Sequence, residues 1–243
     1  MKAWQFTNAN EPPMFNEVPE PTTGPGEVVL EMKAAGLCHS DVGLLHDEGW
    51  LALLAKRSIT IGHENASVVA QICEGVTDFA VGDHVGVCAT AEGEGAPGYA
   101  FDGGFAPKMT VPAACLVPFP DGVDFINGAV ATDAGMTSYH AMVTRGGVEE
   151  GMKVGVIGLG GLGRLGARAD VLLGAEVYVA EINERSGTRP RKSAPSRSPR
   201  TSRTLPTRAL TLSSTTPGSA PRRRTLWTSS TLAAPWSWSA WAS

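Results

Sequence analysis

The chain has 243 residues, 42% hydrophobic and 18% charged, with a formal net charge of −4. That is room for one large domain or two small ones. It has no apolar run of about 18 residues, which excludes a membrane-spanning helix. Its four cysteines, Cys38, Cys73, Cys88 and Cys115, lie too far apart for a CxxC pair or a disulfide framework. The N-terminus, Met1-Lys2-Ala3-Trp4-Gln5, lacks the apolar core of a signal peptide. The default expectation is a cytoplasmic enzyme or binding protein.

Charge divides the chain in two. Residues 1–184 hold all 24 acidic side chains and 9 of the 20 basic ones, whereas 185–243 hold 11 basic side chains and no acid.

In chain order, residues 1–35 read as β structure. Gly24-Pro25-Gly26 is a turn signal, and the apolar run 27–32 behind it is a strand. Gly36-Leu37-Cys38-His39-Ser40-Asp41 follows, placing a thiol, a hydroxyl and a carboxylate within four residues. Residues 43–57, with Trp50 and Leu51, read as a loop and helix over a pocket. Gly62-His63-Glu64 sets an imidazole beside a carboxylate and leads into a strand at 66–72. Residues 81–87 are a turn into another strand, 90–104 a Gly-rich loop, and 106–118 short strands broken by proline. The first 125 residues therefore predict a small irregular β-barrel, and 128–143 turns helical.

From Gly151 the pattern is that of a β-α-β unit. A buried strand at 153–157 runs into Gly158-Leu159-Gly160-Gly161-Leu162-Gly163, then a helix to Leu173, then a strand at 176–181. This GxGxxG sits where its mechanism needs it, directly after a strand and opening a helix. Its glycines serve the tight turn, the approach of a pyrophosphate and helix–strand packing. The acid expected at the tip of the second strand is Glu181, 18 residues after Gly163. A carboxylate there favours NAD, because it repels a 2′-phosphate.

Cys38 and His63 are borderline-soft donors suited to zinc, and a catalytic zinc takes three protein ligands and keeps one position open. Together the motifs Gly36–Asp41, Gly62-His63-Glu64, Val81-Gly82-Asp83-His84-Val85 and Gly158–Gly163 resemble the zinc-dependent alcohol dehydrogenases of the medium-chain dehydrogenase/reductase family, in that family's order over residues 1–184. The resemblance implies an α/β-with-β fold: a GroES-like catalytic, zinc-binding domain at 1–147 and a partial Rossmann NAD-binding domain at 148–184. It implies one catalytic zinc held by Cys38, His63 and Asp133. Asp133 stands where many relatives have cysteine, and helix capping is its other reading. It also implies Asp41 as the partner of the His63 ring, Glu64 as a reserve ligand, Ser40 as the group taking the substrate proton, and His39 and Thr137 as cofactor contacts beside Gly158, Gly160, Gly161, Leu162, Gly163 and Glu181. The implied reaction is hydride transfer between a small alcohol or carbonyl and NAD, in a protein that forms a homo-oligomer and binds neither nucleic acid nor membrane. Alternatives are a zinc-free quinone or enoyl reductase and a non-catalytic fragment.

Two departures stand out. The four-cysteine lobe of a structural zinc is absent, since 88–115 contains only Cys88 and Cys115. Gly43 occupies the place where some relatives carry a proton-relay histidine, with His46 nearby. The tail at 185–243 is foreign to the pattern: 40 of its 59 residues are Ser, Thr, Pro or Arg, yet it holds four of the six tryptophans. Too polar for a core and too rich in Trp for a linker, it reads as a disordered, out-of-frame translation that leaves the chain truncated and inactive.

Overall fold

The computed structural model describes residues 1–91, 93–181 and two short strands at 203–204 and 226–228. The chain divides into two compact units, Met1–Ala134 and Gly135–Ser243.

The described residues of the first unit form eight strands. They are β1 (Lys2–Phe6), β2 (Met14–Glu17), β3 (Glu27–Gly36), β4 (Ile59–Thr60), β5 (Glu64–Ile72), β6 (His84–Val87), β7 (Lys108–Pro112) and β8 (Leu116–Pro118). They form two sheets, one in the order β2-β1-β4 and one in the order β7-β3-β5-β6-β8. Among the described residues no ladder closes these into the single barrel the sequence suggests. The junction is made by single backbone hydrogen bonds from an irregular segment. Trp4 N–H donates to Phe105 O at 2.9 Å, Phe105 N–H to Ile61 O at 3.0 Å and Met32 N–H to Pro107 O at 2.9 Å. The glycines and prolines around that segment break strand pairing and allow the close approach.

Strand β3 is the spine of the larger sheet. Val28, Val29 and Leu30 are buried in succession, so both faces are covered at its start. Val28 and Leu30 pack with Val69, Val85, Val87, Met109 and Val111 into one core. A second core gathers Phe6, Leu44, Ile59, Ile61 and Tyr99. Helix α1 (His39–His46) and a 3-10 turn at Glu48–Leu53 follow β3, and α2 (Phe125–Val130) packs against β3 and β5. Asp124 caps α2, accepting from Asn127 N–H at 2.9 Å. A π-helical turn at Ala131–Gly135 continues the helical run.

In the second unit α3 (Met136–Tyr139) and a π turn at His140–Arg145 pack on α4 (Gly161–Leu172). The helical run therefore divides at 134/135, whereas the sequence reading carries the first domain to 147. The packing explains it: a Cβ on Gly166 of α4 would stand 2.9 Å from Met142 and 3.8 Å from Ser138. Strands β9 (Lys153–Ile157) and β10 (Glu176–Ala180) pair in parallel across α4, as the β-α-β pattern predicts. Short parallel strands β11 (Arg203–Thr204) and β12 (Leu226–Thr228) flank them in the order β11-β10-β9-β12. Apart from these two segments, the expected out-of-frame tail at 185–243 lies outside the described residues.

Asp170 is fully buried on α4, and neither carboxyl oxygen has a hydrogen-bond partner among the described residues. Burial pushes its pKa from 3.8 up to about 6. The folded state therefore holds this proton more tightly than the unfolded chain. Its contribution to stability is greatest below pH 3.8 and is lost as pH rises towards 6. Asp170→Asn is expected to flatten that slope and raise the unfolding midpoint at neutral pH, as read by urea unfolding across a pH series.

Candidate metal centre

Three elements of the first unit meet at one point. Cys38 is the residue before α1, where the chain leaves β3, and its N–H donates to Asp41 Oδ2 at 2.9 Å. His63 precedes β5 at a turn made possible by Gly62, whose φ is +104° and whose added Cβ would stand 2.6 Å from the Phe105 ring. Asp133 lies inside the π turn that follows α2. Such turns are frequent at functional sites.

The convergence follows from strand register. Strand β3 pairs with β5 so that Gly36 faces Glu64. Cys38 comes two residues after Gly36 and His63 one before Glu64, so the ladder ends with the two donors side by side. Sγ of Cys38, a ring nitrogen of His63 and a carboxylate oxygen of Asp133 all lie within 4.8 Å of one another. His63 Nε2 is 3.3 Å from Asp133 Oδ2, and Nδ1 faces Asp41 Oδ1 at 3.4 Å. The latter distance is long for a hydrogen bond, and neither atom has a hydrogen-bond partner among the described residues. Asp41 and His63 are buried.

Burial alone would drive the His63 proton off. Asp133, Asp41 and Cys38 outweigh it and hold the imidazole protonated well above its ordinary range. The proton thus does what a cation would do between a thiol and two carboxylates. Sulfur, nitrogen and oxygen donors gathered this closely suit zinc.

The supporting residues fall around this point. Ser40 Oγ lies 3.3 Å from Cys38 Sγ. Glu64 is buried, and Gly36 makes room for it: a Cβ there would stand 1.9 Å from Glu64 Oε2. Burial, then the Asp133 charge, raises the Glu64 pKa. His39 is exposed on the first turn of α1, and Thr137 lies on α3 in the second unit. At Gly43 an added Cβ would stand 3.1 Å from the Trp50 indole, so the indole crowds the relay position, and His46 is exposed at the last turn of α1.

Tyr99 was not legible in advance. Its ring sits 5.6 Å from the His63 ring at 55°, and its hydroxyl is buried with no hydrogen-bond partner among the described residues. Burial raises its pKa. Its only signal in the sequence is an aromatic residue within a Gly-rich loop.

In the second unit Gly158 has φ +89°, and an added Cβ on Gly163 would stand 1.9 Å from Gly158 O. These two glycines make the turn and the close packing. Among the described residues nothing lies within 4 Å of an added Cβ on Gly160 or Gly161. Their backbone is open to a ligand at the N-terminus of α4, as dinucleotide pyrophosphates require. Leu162 O accepts from Ser138 Oγ at 3.0 Å. Glu181 follows β10, and its carboxylate accepts from the N–H of Leu159 within the Gly-rich turn.

Comparison with known proteins identifies the family. Residues 24–121 match the alcohol dehydrogenase GroES-like domain. An alcohol dehydrogenase of Geobacillus stearothermophilus is 30% identical over 187 residues, covering 70% of this chain and 54% of that protein. The chain belongs to the medium-chain alcohol dehydrogenase family. Among solved structures, the cobalt- and zinc-bound thermostable alcohol dehydrogenase of Pyrobaculum aerophilum is 28% identical, with a TM-score of 0.64 over 74% of this chain and 59% of that one. Acetophenone reductase of Geotrichum candidum in complex with NAD is 27% identical, with a TM-score of 0.67 over 76% of this chain and 59% of that one. The chain thus spans little more than half the length of these relatives.

Proposed function

We propose that this chain is the metal- and dinucleotide-binding part of a zinc- and NAD-dependent alcohol dehydrogenase acting on a small alcohol or its carbonyl product. The observation behind this reading is the meeting of Cys38, His63 and Asp133 donors within 4.8 Å. The GroES-like match and the zinc- and NAD-bound relatives support it.

Zinc would be held by Cys38, His63 and Asp133, and when bound it supplies Lewis acidity to an alcohol or carbonyl oxygen. NAD would be held by Gly158, Gly160, Gly161, Leu162, Gly163 and Glu181, with His39 and Thr137 as further contacts, and when bound it supplies the nicotinamide that accepts hydride. The chain's own residues do the rest. Asp41 keeps the His63 proton on Nδ1, which leaves the Nε2 lone pair as the donor. The Ser40 hydroxyl, beside Cys38 Sγ, would receive the proton of the substrate alcohol while releasing its own hydroxyl proton to water. Glu64 is a carboxylate in reserve. The complete protein is a homo-oligomer.

Elemental analysis of the purified chain is expected to find about one zinc. Titration with the two dinucleotides should give tighter binding of NAD than of NADP, because Glu181 repels a 2′-phosphate. A chain extended to the length of its relatives should reduce NAD with small alcohols and lose that activity on chelation. Two zincs per chain, or equal binding of NADP, would overturn the respective assignments.

A further inference from the structure

Asp41 accounts for the placing of two of the three donors. It accepts from the N–H of Cys38 at 2.9 Å and faces His63 at 3.4 Å. Asp133 stands on a different element and needs its own restraint. A metal ligand has to be held to within about 0.5 Å by the groups around it.

We infer that Thr132 and Asn65 are the positioning residues for the third donor, forming a clasp that sets the turn carrying Asp133 against the strand carrying His63. The inference rests on the metal reading above. Asn65 lies two residues after His63 on β5 and is fully buried. Its backbone N–H donates to Thr132 Oγ1 at 3.1 Å, across 67 residues of sequence. Thr132 Oγ1 in turn donates to Ala129 O at 2.7 Å, one turn back on α2. The hydroxyl therefore ties β5 to the helical turn at the residue immediately before Asp133.

The other branch of Thr132 is also held. A Cβ on Gly86 of β6 would stand 2.6 Å from Thr132 Cγ2, so the methyl fills a space that only glycine leaves open. A β-branched side chain fixed on both branches has one χ1 available. Asn65 acts on His63 as well. Its Nδ2 donates to Gly62 O at 3.1 Å, at the positive-φ turn immediately before the imidazole. A single buried residue thus restrains the His63 turn by its side chain and the Asp133 turn by its backbone.

The test uses the whole chain with cobalt(II) as the probe. Thr132→Val keeps the shape and removes the hydroxyl, and Thr132→Ser keeps the hydroxyl. T132V is expected to bind cobalt about 10- to 100-fold more weakly, the usual cost of losing a group that supports a ligand. Its visible cobalt spectrum should shift, and T132S should restore both affinity and spectrum. A hydroxyl that merely stabilised the fold would lower the unfolding midpoint of the metal-free chain and leave cobalt affinity unchanged. That result would overturn the clasp. Cys38→Ser separates the two levels. If the native chain binds no cobalt, or C38S binds it equally well, the metal reading fails and the clasp falls with it. If C38S loses cobalt while T132V keeps native affinity and spectrum, the clasp alone is wrong. Should T132V not fold, amide exchange of the native chain decides: zinc is expected to slow exchange at Asn65, and unchanged exchange would refute the inference.

Discussion

Replacing His63 by alanine is expected to empty the metal centre. His63 is the nitrogen donor of the three, with Nε2 3.3 Å from Asp133, and its Nδ1 lies 3.4 Å from Asp41. Without it two anionic donors face each other with no nitrogen between them. The loss of zinc affinity should exceed the roughly 10- to 100-fold that loss of a merely supporting group costs. Stability should fall too. Asp41 is 1% exposed, and a buried charge stripped of its partner costs about 3–5 kcal/mol. The Asp41 bond to the Cys38 N–H softens that figure, so the lower end is expected. Metal content and urea unfolding of the variant read the two effects separately. A His63→Ala chain that kept its zinc would remove His63 from the ligand set.

Gly163→Ala is expected to disrupt the second unit. The added methyl would stand 1.9 Å from Gly158 O, where essentially no real Cβ is found, and the obstructing atom is backbone. Relief requires moving α4 away from β9, against the packing of Val154, Val156 and Val177. Overpacking of this kind costs roughly 3 kcal/mol or more. The expected outcome is a lower melting transition together with loss of NAD binding. Gly160→Ala and Gly161→Ala supply the contrast. Among the described residues neither added methyl meets anything within 4 Å, so both variants should melt like the native chain. Both should still weaken NAD, because the methyl stands where the pyrophosphate would approach. A Gly163→Ala chain that melted normally would show that the turn has more freedom than its geometry allows.

The β-α-β unit was legible from the sequence because each of its determinants is local. The strand at 153–157, the glycines and the helix follow one another directly, and Gly158 and Gly163 meet only five residues apart. The acid at 181 needed only a count along the chain. Its bond to the Leu159 N–H is a detail of the folded turn, since nothing in the spacing says which backbone group a carboxylate will find.

The candidate metal centre was legible in part. Cys38 and His63 announced themselves by donor type, but their meeting depends on the β3–β5 register that sets Gly36 opposite Glu64. Asp133 came from family resemblance, because a carboxylate in a helical stretch is as readily a cap. The structure places the cap of α2 at Asp124 and Asp133 3.3 Å from His63. The small irregular barrel expected for the first unit consists, among the described residues, of two sheets. Alternating strands specify faces, and whether the last ladder closes depends on an irregular segment whose bonds are single and non-local.

By itself, then, the sequence determined the donor types and the β-α-β unit with its Gly-rich turn, all matters of composition or of neighbours along the chain. The tertiary structure alone decided that Tyr99 lies against His63, that Trp50 covers Gly43, and that Asn65 and Thr132 join across 67 residues. The physical reason is the same in each case. Each contact joins residues that the fold, not adjacency along the chain, brings together, and the partners are set by strand register and helix placement, on which no local pattern bears.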